Sequence, residues 1–116
     1  MTGDRPALSQ SYEKGERMYA RTISSYLIPG KADEAIRIFR DRVVPVVRGQ
    51  PGYVSTAIYI DREHDRAQTV SVWESQEAER ATTRGSEYLT KVVGMLDGCL
   101  VNRDYATWEV GWSDQA

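Results

Sequence analysis

Apolar residues change their spacing several times along the chain, and each change marks an expected element. Residues 17–27 alternate, with Tyr19, Arg21, Ile23, Ser25 and Leu27 on one side and Met18, Ala20, Thr22, Ser24 and Tyr26 on the other, which predicts a first strand. Pro29 and Gly30 stop it. Ala32, Ala35, Ile36, Phe39, Val43, Val46 and Val47 then fall at helical spacing. Asp33 and Glu34 lie near the positive end of that helix dipole, with Arg37 and Arg48 further on. Pro45 lacks an N–H and crowds the carbonyl four residues back, so it is expected to kink or tighten the last turn. After Gln50-Pro51-Gly52, two runs at 53–60 and 67–73 flank the charged segment 61–66 in the pattern of a β-hairpin. The second run ends on Trp73, and a capped helix follows at once. Ser75 and Ser86 each offer an N-cap oxygen, the first to a short polar helix over 76–83 closed by Gly85. The second precedes Leu89, Val92, Val93 and Leu96 on one helical face, flanked by Tyr88, before Gly94 and Gly98 weaken and end the pattern. A last strand is expected from about residue 103 to 111.

The order β-α-β-β-α-β, with the second helical region in two pieces, predicts an α+β fold. It is ferredoxin-like, a four-stranded antiparallel sheet with both helical layers on one face. Such a sheet should turn a polar face to water. Strand two instead carries Val54, Ile58 and Ile60 against Tyr53, Ala57 and Tyr59, and strand four carries Trp108, Val110 and Trp112 against Tyr105. Apolar character on both faces implies an association surface, and the economical solution is a two-fold homodimer, sheet against sheet.

Composition narrows the class without naming a reaction. The 116 residues suffice for one domain, expected over 16–116 behind a flexible leader at 1–15 that lacks any apolar period. A net charge of −2 gives no electrostatic reason to expect nucleic acid or an anionic membrane as partner. The sequence shows neither a bilayer-length apolar run nor a signal-peptide pattern, and its one cysteine, Cys99, agrees with a reducing compartment; a cytoplasmic location is expected. No cluster of His, Cys or Asp has metal-ligand spacing, so neither metal nor cofactor is expected. The single histidine, His64, sits in the charged hairpin loop, where a solvated side chain is the simplest reading.

The Pro29-Gly30 break between strand one and helix one, Gln50-Pro51-Gly52-Tyr53, and Val70-Ser71-Val72-Trp73-Glu74-Ser75 together resemble the antibiotic biosynthesis monooxygenase-like family of dimeric α+β barrel proteins. The resemblance covers roughly residues 17–112 and implies protomers paired through their sheets. It also implies either a cofactor-independent monooxygenase for a small planar aromatic or quinol-type compound, or a non-catalytic ligand-binding or scaffold protein on the same fold. Haem-degrading members share a tryptophan matching Trp73. Their strand-one asparagine would fall near Ile23, and their haem-ligating histidine near Thr90-Lys91-Val92-Val93, so the iron ligand is missing.

The family pocket would lie on the Trp73 face, shared by alternation with Ser71 and Thr69. Strand one would contribute either Tyr19, Arg21, Ile23 and Ser25 or the opposite set, and the resemblance favours the first, because Ile23 falls near the pocket asparagine of relatives. A guanidinium in a half-buried strand needs a partner: a substrate phenolate or carboxylate, or a salt bridge to Glu109 or a helix carboxylate. Trp73 is expected either to pack with its indole N–H on a backbone carbonyl or to wall a flat substrate. Trp73, Arg21 and Tyr19 are thus the catalytic candidates, and Trp73, Arg21, Ser71 and Tyr88 the substrate-binding ones. No His-carboxylate pair is visible, so a tyrosine or a water would have to act as base.

Overall fold

The computed structural model describes residues 17–83 and 86–114; the expected leader and the Gly85 helix stop lie outside them. Four strands, β1 (Tyr19–Leu27), β2 (Tyr53–Asp61), β3 (Arg66–Trp73) and β4 (Leu100–Glu109), form one antiparallel sheet in the order β2-β3-β1-β4. That order is the one two crossing β-α-β units produce. It leaves β1 and β3 central, where Arg21 pairs with Ser71 on one side and with Thr107 on the other.

Helix one runs in three continuous pieces: α1 (Ala32–Ile38), a π-helical turn (Phe39–Val43) and α2 (Val44–Arg48). The sequence reading expected a kinked or tightened turn at Pro45; the helix widens instead, and the Val44 N–H reaches back five residues to the Phe39 carbonyl. A wider turn moves the preceding carbonyls away from the proline ring. It also keeps Phe39, Val43 and Val47 all buried against the sheet.

Helices α3 (Gln76–Ala81) and α4 (Glu87–Gly94) begin where the two serines predict. Ser75 Oγ accepts from the Ala78 N–H and Ser86 Oγ from the Leu89 N–H, each at 3.1 Å. The helices cover one sheet face over a core that includes Leu27, Phe39, Val43, Val47, Trp73, Val92, Leu96 and Leu100.

Two irregularities shift side chains relative to simple alternation. The register slips between Tyr53 and Ser55, so Tyr53 stands opposite Trp73. It therefore joins the same face as Ile58 and Ile60 rather than opposing them. Strand β4 starts three residues earlier than expected, because Leu100 and Val101 pair with Leu27 and Tyr26 before a register break in which Asn102 takes φ +58. It ends at Glu109, leaving Val110 and Trp112 beyond the strand.

The hairpin closes on Asp61 and Arg66, whose side chains pair at 2.6 Å, and His64 rests on Asp61 at 3.0 Å. The histidine side chain is 60% exposed, as a solvated loop residue should be. Cys99 is fully buried, and burial pushes its thiol pKa up, which suits a packing role.

Candidate functional site

The inner face of the sheet is polar at its centre. Arg21, Ile23 and Ser25 on β1, Thr56 on β2, and Thr69 and Ser71 on β3 form the floor of a partly open cavity of about 40 Å³, with Ile23 the one apolar side chain among them. Thr56 and Ser71 hydroxyls bond across the strands at 3.0 Å. The roof is apolar, made by Leu89, Val92 and Val93 of α4 with Leu96 beyond it, and Tyr88 adds a phenol at one end. Alternation in the strands and helical spacing in α4 produce this two-sided chamber from sequence patterns visible in isolation.

Arg21 is committed to the protein. Both its side chain and that of Glu79 are 3% exposed, and their closest approach is 3.2 Å from Nη1 to Oε2. Nη1 also donates to the Glu79 carbonyl at 3.3 Å, and Nη2 to Thr82 Oγ1 at 3.1 Å. Thr107 Oγ1 donates to the same carboxylate oxygen at 3.3 Å, and Thr82 Oγ1 to the Glu79 carbonyl at 3.1 Å. Burial lowers the Arg21 pKa, and Glu79 opposes that effect. Of the partners the sequence left open, the structure selects a helix carboxylate; Glu109 lies 4.0 Å from Arg17 instead.

Trp73 is fully buried and stands behind the cavity without lining it. Tyr53 and Tyr88 meet its ring edge-on, each with centroids 6.4 Å apart, and the Arg21 guanidinium lies 5.6 Å from its centroid. The expected indole bond to a backbone carbonyl does not form: Nε1 has no partner among the described residues. Its flanking tyrosines pack through their rings and Arg21 brings only donors, so these neighbours leave the N–H without an acceptor. Tyr19, half-buried and registered with Trp73 and Glu109, does not line the cavity either.

Tyr88 does line it. Burial raises its pKa to about 12 against the opposing influence of Arg21, so the phenol, protonated at neutral pH in any case, resists ionisation well into the alkaline range. Of the sequence candidates, Arg21, Ser71 and Tyr88 come together. Glu79, Thr82 and Arg103 escaped notice as individuals. Glu79 and Thr82 are spaced three apart at the end of a short helix, a signal for one shared face.

A hollow of about 470 Å³ lies at the outer sheet face, with Tyr26, Tyr59, Gln68 and Asp104 among its walls. That face also exposes Tyr26 at 52%, Tyr59 at 58% and Trp108 at 56%.

The residues do not fit a haem. The α4 side chains over the cavity are Tyr88, Leu89, Val92 and Val93; none is an imidazole or thiolate, burial disfavours the phenolate that Tyr88 would need to ligate iron, and about 40 Å³ is far too little for a macrocycle.

An antiparallel sheet covered on one side, with a small chamber under its helices, defines a ferredoxin-like α+β protein. The model of the antibiotic biosynthesis monooxygenase family matches residues 18–92, ending within α4, and the chain belongs to that family. Two uncharacterized Mycobacterium tuberculosis proteins, Rv2557 and Rv2558, are each 31% identical to it, over 83 and 81 residues. Those segments make up 71% and 70% of this chain but 37% and 34% of the relatives, so the chain spans little more than a third of their length. Among solved structures, SnoaB, a cofactor-independent oxygenase from Streptomyces nogalater, superposes with a TM-score of 0.63 at 16% identity, covering 86% of this chain and 96% of that one. A conserved protein from Methanosarcina mazei superposes with a TM-score of 0.65 at 13% identity, covering 84% and 96%. At such identities the likeness concerns the fold.

Proposed function

We propose that the chain is a cofactor-independent monooxygenase-like protein that takes a small planar aromatic or quinol-type compound between the sheet and α4. The observation that carries this reading is the chamber itself, with a hydroxyl- and guanidinium-lined floor under an apolar roof. Its volume of about 40 Å³ holds one or two waters, whereas a benzene-sized guest needs on the order of 150 Å³. Binding therefore requires α4 to move outward.

The chemistry asks for deprotonation and oxygen. An acidic C–H of an anthrone-type substrate gives up its proton, the carbanion donates its electrons to dioxygen, and a C–O bond forms. Loss of water from the resulting hydroperoxide leaves a C=O, so one CH₂ and one O₂ become one carbonyl and one water. Tyr88 is suited to donate a hydrogen bond to the developing oxyanion. Glu79 is held by Arg21 and Thr107, which leaves water as the proton acceptor.

That missing base favours a second reading, a binding protein without turnover. Anthrone oxidation by purified protein, without added metal or flavin, separates the two. Oxygen consumption that falls at least about tenfold in Tyr88→Phe supports catalysis, in line with the loss of one oxyanion donor. Thermal stabilisation by anthrone without oxygen uptake selects the binding role.

The same reading includes a two-fold homodimer through the outer sheet face, where Tyr26, Tyr59 and Trp108 stand exposed. A cytoplasmic site of action suits the single buried thiol. Among the described residues no helix is long and apolar enough to cross a membrane.

A further inference from the structure

We infer that Arg103, rather than Arg21, selects the ligand of this cavity, and that the ligand it selects is a planar acid whose carboxylate takes the place of Asp97 on the guanidinium. The inference rests on the reading of the chamber as the ligand site and names the chemical class it prefers.

Two arginines line the chamber, and they differ in how they are held. Arg21 is locked: its carboxylate partner is as buried as it is, and Thr82 and Thr107 complete the network. A ligand that drew Arg21 away would strand a buried carboxylate, which is strongly unfavourable. Arg103 is held by groups that can let go. Its side chain is 23% exposed and Asp97 is 66% exposed, so water competes for that ion pair and its net strength is small. The second bond of Arg103, from Nη2 to the Val93 carbonyl at 3.2 Å, falls on the helix that roofs the cavity. Arg103 thus faces the chamber on one side and solvent on the other.

The same side chain also explains where the chamber opens. The backbone of α4 approaches the sheet less closely than that of α3, and its hold comes from side chains such as Leu89 and Val92, with Leu96 buried in the turn that follows. Arg103 ties the C-terminal end of α4 and the following turn to β4. A carboxylate that takes over the guanidinium releases Asp97, and the roof loses a strap as the ring slides beneath it. A planar acid matches the fork of Arg103 with two parallel bonds, while its ring meets Val92 and Val93. Recognition and opening are then one event, because the open state is stabilised only by the ligand that binds it better.

Calorimetric titration of the full chain with 2-naphthoate and with 2-naphthalenemethanol, equal in ring and different in charge, tests this. The wild type should bind the acid about tenfold more tightly than the alcohol, the size expected of one charge-assisted contact. In Arg103→Gln the acid should fall to the affinity of the alcohol, whose own binding stays unchanged. Asp97→Asn, which removes the competitor and keeps Arg103, should tighten the acid alone. An acid preference that persists in Arg103→Gln, or an Asp97→Asn variant that binds the acid more weakly, overturns the inference. Equal binding of both compounds by the wild type overturns it while leaving the chamber as a ligand site. If neither compound binds, the chamber reading fails, and the inference fails with it.

Discussion

Glu79 holds the most consequential charge in the molecule, because Arg21 in the middle of the sheet depends on it. Removing one partner of a buried pair leaves an uncompensated charge, so Glu79→Leu should destabilise the fold by about 3–5 kcal/mol. The double variant Arg21→Met/Glu79→Leu should recover most of that loss, and urea unfolding of the three proteins measures it. Similar losses in the single and double variants would show that the pair's geometry, not its charge balance, matters. Tyr88 supplies a pH signature. Its folded pKa of about 12 lies above the ordinary value of 10, so the protonated phenol is the form the fold prefers. The associated stability is complete below pH 10 and is lost as pH rises through 12. A titration of tyrosine absorbance should contain a component with its midpoint near 12 that vanishes in Tyr88→Phe.

Between elements, the decisive contact is the approach of the β2 turn to α3. Gly52 has φ +82, and a Cβ there would stand 2.5 Å from the Ala78 Cβ. Ala78 neighbours Glu79, so a side chain at 52 pushes α3 and the carboxylate it carries away from Arg21. Gly52→Ala should cost about 2–4 kcal/mol, combining left-handed backbone strain with overpacking. Gly30 has φ +84 with nothing within 4 Å of its Cβ position, so Gly30→Ala should cost only the backbone part, about 1–2 kcal/mol. Thermal unfolding of Gly52→Ala/Ala78→Gly, read against Ala78→Gly alone because a glycine inside α3 has its own cost, checks the steric part, since relief of the clash should bring the increment from Gly52→Ala near the loss in Gly30→Ala. The sequence reading placed Gly52 in the break between helix one and the second strand, and Ser75 at the start of α3, correctly. It had no means of bringing the two segments within contact, which is a property of β2 and β3 pairing with a slipped register.

For the whole molecule, the exposed outer face is the feature that a single chain leaves unresolved. Trp108 donates its indole N–H to Thr22 Oγ1 at 3.0 Å, which fixes the ring across β1 and β4 while leaving it 56% exposed. A fixed, exposed aromatic is well suited to an interface because little side-chain freedom remains to be lost on association. Sedimentation equilibrium should therefore return a mass near twice the 13.1 kDa chain, and Trp108→Glu should return a monomer. A monomeric wild type at micromolar concentration would rule the sheet-to-sheet dimer out.

By itself the sequence determined the order of elements, their caps, the face that Ser71 shares with Trp73, and the family resemblance; that Arg21 stands on that face was settled by the pairing of β1 with β3. These follow from local rules: a period of two or of 3.6, a serine before a helix, a glycine where φ is positive. The partner of Arg21, the raised pKa of Tyr88, the retreat of Trp73 behind the chamber and the exposure of Arg103 were decided only by tertiary structure. Each depends on how far two distant segments stand apart and on how much water remains between them. Periodicity fixes direction along one element; it carries no information about the distance to the next.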